Sequence, residues 1–183
     1  MHMVVSDNTA SFYERIVGPS FAQDWPNPAQ INDFKHHLRS DHSRQLFAYW
    51  LMKCSGDIPR RADLSPHEMK GLLPRLSIWE HVPQADAVHV RLAGTYVVET
   101  LAQDPSGHLN SDILPPEWVE AMRLYGADFY QGKAPLYFLS SLAPYGRRHV
   151  HIEFLSLPLR REGTKATMGI GIMDRVEIYK AAS

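Results

Sequence analysis

The chain has a single cysteine, Cys54. No internal disulfide can staple it, and nothing implies an oxidising compartment. Long apolar runs are missing too, so no membrane span is expected. The first ten residues show no basic stretch followed by an apolar one, so no signal peptide is expected. Charge of one sign is also scarce: 19 basic residues face 20 acidic ones, a formal net charge of -1. Arg60-Arg61, Arg147-Arg148 and Arg160-Arg161 are scattered pairs, read as solvated turn charges. With no basic stripe there is no electrostatic footprint for a nucleic acid. Catalytic signatures are missing as well. No serine sits in a Gly-x-Ser-x-Gly setting, no glycine-rich phosphate loop precedes a helix, and no carboxylate pair falls in a plausible cleft. The expectation is a soluble, cytoplasmic protein that is not an enzyme and binds neither nucleic acid nor membrane.

What is present is a globular composition, 44% hydrophobic over 183 residues, enough for one ordinary domain with extensions. Pro19, Pro26 and Pro28 punctuate the first thirty residues, which read as irregular. Ile31, Phe34 and Leu38 recur at helical spacing, and a stronger helix is expected at about 42–54 with Leu46, Phe47, Trp50, Leu51 and Cys54 on one apolar face. Asp41 is the expected N-cap and Gly56 the stop. Ser65-Pro66-His67-Glu68 reads as a further helix start. Strands are expected at about 76–82 and 88–93, helices at 96–102 and 117–131, with Gly132 as the stop of the second, and strands at 136–142, 148–159 and 166–173. Glu162-Gly163 is the expected turn before the last. Strands, then helices, then strands is the order of an α+β domain with helices on one face of an antiparallel sheet. The division expected is an extension over residues 1–40, a domain over 41–178 and a tail over 179–183.

Several side chains invite a chemical reading. His149, His151 and Glu153 alternate along a strand and share a face, which is the pattern of a two-histidine, one-carboxylate metal set; the bland reading is a polar sheet face. His36, His37 and His42 read as surface histidines. Cys54 reads as a small buried hydrophobe with nothing to lower its pKa. Gly169 and Gly171 alternate with Met168, Ile170 and Ile172, leaving one face of the last strand bare. That face is expected to receive a close-packed helix, or else a ligand or second subunit. Trp79, Arg91 and Tyr137 are the polar-tipped side chains expected near a pocket. An inward Arg91 requires a carboxylate or a ligand anion, with Asp63 or Asp104 as the expected internal partner.

Local motifs add a family resemblance. Pro59-Arg60-Arg61-Ala62-Asp63-Leu64-Ser65-Pro66 is followed by Leu72-Leu73-Pro74, Arg91-Leu92-Ala93-Gly94-Thr95, Asp104-x-x-Gly107, Leu114-Pro115-Pro116-Glu117 and Leu157-Pro158-Leu159. In this order, over about residues 42–176, they resemble the PAS sensor domain, and within it a bacterial group in which the domain stands almost alone. The resemblance implies a five-stranded antiparallel sheet with helices on one face, here preceded by an N-terminal helical extension. It implies a non-catalytic sensory or regulatory module of signal transduction that binds a small molecule or a signalling protein. It names no cofactor.

On the PAS-like layout, Arg91, Tyr96, His108 and Tyr137 are expected to line a small, partly polar cavity, with His108 the best single histidine for a ligand. The layout also implies a homodimer through the helix at 42–54, with Phe47, Trp50 and Leu51 at the interface. The alternative function is a small metal-dependent α+β enzyme or carrier using His149, His151 and Glu153.

Overall fold

The strand Leu136–Leu142 is buried at all of its positions, which a sheet with one wet face does not allow. Both faces are in fact covered. The computed structural model describes residues 12–22, 25–131, 133–161 and 166–178. In chain order these form β1 (Phe12–Val17), α1 (Pro28–His37), α2 (Asp41–Lys53), β2 (Leu76–Val82), β3 (Ala87–Ala93), α3 (Thr95–Leu101), α4 (Asn110–Ile113), α5 (Pro116–Gln131), β4 (Leu136–Leu142), β5 (Arg147–Arg160) and β6 (Ala166–Val176). The strands make one antiparallel sheet in the order β1-β4-β5-β6-β2-β3.

The α+β architecture and its five-stranded sheet are as expected. The extension adds to them: residues 12–17 form a sixth strand on the outer edge of β4, with Ile16 opposite Tyr137, where an irregular stretch was expected. Gly132, Glu162-Gly163 and the tail beyond residue 178 lie outside the described residues.

Side-chain alternation sorts the core into two layers. On one face, Phe34 from α1, Leu38 just after it, and Leu46, Phe47 and Trp50 from α2 pack on Tyr137, Leu139, Leu155, Leu157, Ile170 and Ile172. Trp50 is fully buried, and its indole N–H donates to the Pro158 carbonyl at 2.9 Å. On the other, Val97, Leu101, Trp118 and Phe129 from α3 and α5 pack with Leu136, Phe138, Ile152 and Met173.

The helix ends follow local chemistry. Asn27 and Gln30 form a reciprocal capping box at the start of α1. α1 and α2 are separate helices, because the chain is extended at Leu38 and Ser40. Ser40, rather than Asp41, is the N-cap of α2: its hydroxyl accepts from the His42 and Ser43 N–H groups. Residues 66–72 form a run of turns instead of the expected helix, leading into a 3-10 turn at Leu73–Arg75. The Pro59–Pro66 motif is a structural loop. Asp63 accepts from the Arg60 N–H at 2.7 Å, and Pro59 accepts from the Arg160 N–H.

Gly94 explains the Arg91–Thr95 stretch. The turn from β3 into α3 runs against the backbone of Leu73 and Pro74, where an added Cβ would lie 2.3 Å from the Pro74 oxygen. Its N–H donates to Leu76 at 2.8 Å. Only glycine fits there.

Candidate functional site

Between the sheet and α3–α5 lies a cavity of about 90 Å³. Its floor comes from alternate positions of the strands: Ser77 and Trp79 on β2, Val88 and Val90 on β3, Ser156 and Phe154 on β5, and Met173 on β6. Its roof comes from Val97 and Leu101 on α3, Leu114 beyond α4, and Trp118, Met122, Gly126, Phe129 and Tyr130 on α5. The walls are almost wholly apolar, and no Lys, Arg, His, Asp or Glu is among the lining residues.

Two glycines shape the floor. Gly169 lies opposite Trp79 and Gly171 opposite Ser77 in the β2–β6 ladder, and Gly171 faces Ser156 on β5. The Trp79 indole occupies the space over Gly169, and the Phe154 ring the space over Gly171. The bare face therefore receives side chains from its own neighbouring strands, where a helix, ligand or subunit was expected. Trp79 then meets Phe129 at 4.7 Å between ring centroids, and Tyr130 edge-on at 6.0 Å.

The polar atoms in this apolar space are unusual. Ser77 Oγ, Trp79 Nε1, Tyr130 Oη and Ser156 Oγ are all buried without a hydrogen-bond partner, and all four residues line the cavity. Burial raises the Tyr130 phenol above its ordinary value, so it stays protonated. Asn110, also in the wall, is already engaged. Its Oδ1 accepts from the Val88 N–H at 2.8 Å, and its amide contacts Met122 Sδ at 3.5 Å. The 104–109 loop closes the β3 side. His108 O accepts from the Val90 N–H, Gly107 N–H donates to Val90 O, and the Ser106 hydroxyl accepts from the Ala93 N–H.

The four residues expected to share a cavity are not brought together, and none lines this one. Arg91 is exposed and paired with Glu80 at 3.3 Å, not with Asp63 or Asp104. It is the extra residue of a bulge, skipped between the Trp79–Val90 and Ile78–Leu92 pairs. Tyr96 packs on the Arg75 guanidinium at 4.3 Å, and its hydroxyl accepts from the Arg175 N–H. His108 is exposed, its ring held by its neighbour Ser106 O at 3.0 Å. Tyr137 is fully buried in the opposite layer. Burial first, then the Glu153 charge, raises its phenol pKa. Trp79 was placed near a pocket correctly. Ser77 and Ser156 were missed, although period-two spacing from Trp79 points to Ser77, and Gly171 aligns Ser77 with Ser156.

The metal set does not assemble. Glu153 is fully buried and accepts from the Arg39 and Ser40 N–H groups at 2.9 and 3.0 Å, while His149 is exposed. Among the described residues no three ligating side chains converge. Beside Glu153 in the ladder stands Asp174, which receives Ser40 Oγ at 2.8 Å, His42 Nδ1 at 2.7 Å and Arg75 at 3.4 Å. His42 is thus a half-buried partner rather than a surface histidine. Burial would raise the Asp174 pKa, but the Ser40 and His42 hydrogen bonds and the Arg75 charge hold it below the ordinary value. Cys54 follows α2 with its thiol pushed up to about 12 by burial and by Asp57; it is no nucleophile.

The expected interface is also corrected. Phe47 and Trp50 are fully buried against the chain's own sheet and Leu51 is half-buried. The apolar face of α2 is spent inside the monomer.

A family model described as a PAS domain matches residues 38–174. The chain belongs to the PAS domain family. Membership carries a sensory or regulatory role and no one ligand. No curated protein and no solved structure matched the chain. In this PAS domain the cavity lies between the sheet and the helices that join the second and third of the five expected strands. Among the described residues no helix is long and apolar enough to cross a membrane.

Proposed function

We propose that this chain is a non-catalytic regulatory module of bacterial signal transduction, whose state changes when a small molecule enters the cavity under α3–α5. The observation that carries the reading is the cavity itself: partly open, apolar, and lined by residues whose hydrogen-bonding groups the protein leaves unused. Ligand sites combine an apolar wall with a few placed polar groups. The module works in the cytoplasm, as a homodimer or docked on a signalling protein, through surface other than the buried face of α2.

A cavity-filling variant tests this. Gly126 lines the space, and a Cβ added there meets only the Tyr130 ring at 3.5 Å. Gly126→Leu should fold, fill the cavity and abolish stabilisation by small molecules that raise the melting temperature of the natural chain. Equal responses of the two proteins across a broad library would refute the reading.

A further inference from the structure

The cavity's chemistry narrows the class of ligand, an inference that rests on the proposed function. A buried polar group without a partner costs free energy, so natural interiors rarely keep one. Here the residues that carry four such atoms all line one space. Ser77 and Ser156 are each more than nine-tenths buried, and they flank Gly171 on the two neighbouring strands. The Trp79 indole can only donate, and the hydroxyls of Ser77, Ser156 and Tyr130 donate and accept. Together they suit an oxygen that accepts and gives hydrogen bonds.

Charge and size supply the other limits. With no ionisable residue other than neutral Tyr130 in the wall, an ionic ligand would be buried without a counter-charge. Drug-sized ligands occupy pockets of about 300–1,000 Å³, whereas apolar cavities of about 150 Å³ take up benzene. A cavity of about 90 Å³ is smaller still, so it takes no more than a single ring, and that only once the flexible Met122 side chain shifts outward. Trp79, Phe129 and Phe154 offer ring faces and edges to it. We propose that the site takes an uncharged, single-ring molecule bearing a hydroxyl oxygen, of the phenol class.

Titration of the full chain with phenol, benzene and benzoate, read by calorimetry and melting temperature, tests the class. Phenol should bind about tenfold tighter than benzene, and benzoate should not bind. Ser77→Ala and Ser156→Ala should each weaken phenol about fivefold to tenfold and leave benzene unchanged. Each removes an unpaired hydroxyl, so neither should lower the melting temperature of the free protein. Equal affinity for phenol and benzene would overturn the proposal, as would binding of benzoate or no binding of phenol. Stabilisation by other compounds that Gly126→Leu abolishes would, in those cases, leave the pocket reading standing. A library with no such compound would remove both.

Discussion

Trp79 lies across the bare backbone of Gly169: a Cβ added to that glycine would stand 2.2 Å from the indole Cζ2. One strand's side chain fills the place of its neighbour's, and the floor of the cavity is set by that exchange. Gly169→Ala should therefore displace the indole and cost about 1–3 kcal/mol, as overpacking does. Chemical denaturation measures the cost, and indole emission, with Trp79→Phe to assign the signal, reports the displacement. An unchanged midpoint and spectrum would show that the ring has room to spare.

Gly94 has no such latitude, because what its Cβ would strike is backbone. Gly94→Ala should cost about 3 kcal/mol or more, since the β3–α3 turn must pull away from Leu73 and Pro74. Gly126→Ala should do the opposite. It lies in the middle of α5, where an added Cβ makes only an ordinary contact with the Tyr130 ring, so alanine should add about 0.5–1 kcal/mol. Denaturant midpoints of the two variants should move in opposite directions.

Asp174 ties β6 to the start of α2, and its ionised form is the stabilised one. Its folded pKa lies below the unfolded carboxylate value of about 3.9. The stability it contributes is therefore complete above that value and is lost as pH falls through the lower folded one. Asp174→Asn should cost about 1.5–3 kcal/mol at neutral pH, the scale of charged hydrogen bonds. The gap from the natural chain should close in acid below that window. A gap independent of pH would assign the cost to packing.

Trp50→Ala should lose about 3–5 kcal/mol by cavity formation and a broken hydrogen bond to Pro158. It should not yield a stable, dissociated monomer, because Trp50 faces the chain's own sheet. Met52→Ser, at the exposed position two residues on, should leave stability within about 0.5 kcal/mol. Light scattering of both variants, with thermal melts, separates folding from association.

Apart from the short α4, the elements from residue 76 onward were legible because their periodicity was clean and turns bounded them. Residues 12–17 were not, because three prolines nearby argued for irregular chain. Yet none of those prolines falls within the strand, and Phe12, Tyr13, Ile16 and Val17 are ordinary strand formers. The site was half legible. Alternation shows that Tyr137 and Leu136 point to opposite faces, but it does not say which face holds a cavity, and Tyr137 proved to belong to the other layer. Arg91 could not be placed because a bulge takes it out of register. Phe47 and Trp50 looked like surplus apolar surface because the sequence does not say whether the second sheet face meets water or the N-terminal helices.

The sixth strand has a bearing on how the molecule keeps to itself in solution. Without β1, the hydrogen-bonding edge of β4 would be open, and β4 is apolar over most of its length. An open, flat, apolar edge is a template for strand addition between molecules and for fibril growth. A chain shortened to begin at residue 38, where the family match starts, would uncover that edge and lose Phe34 from the core. It should precipitate or fibrillate where the longer chain remains dispersed. The family match and the edge-covering strand begin about 25 residues apart, since β1 begins at Phe12.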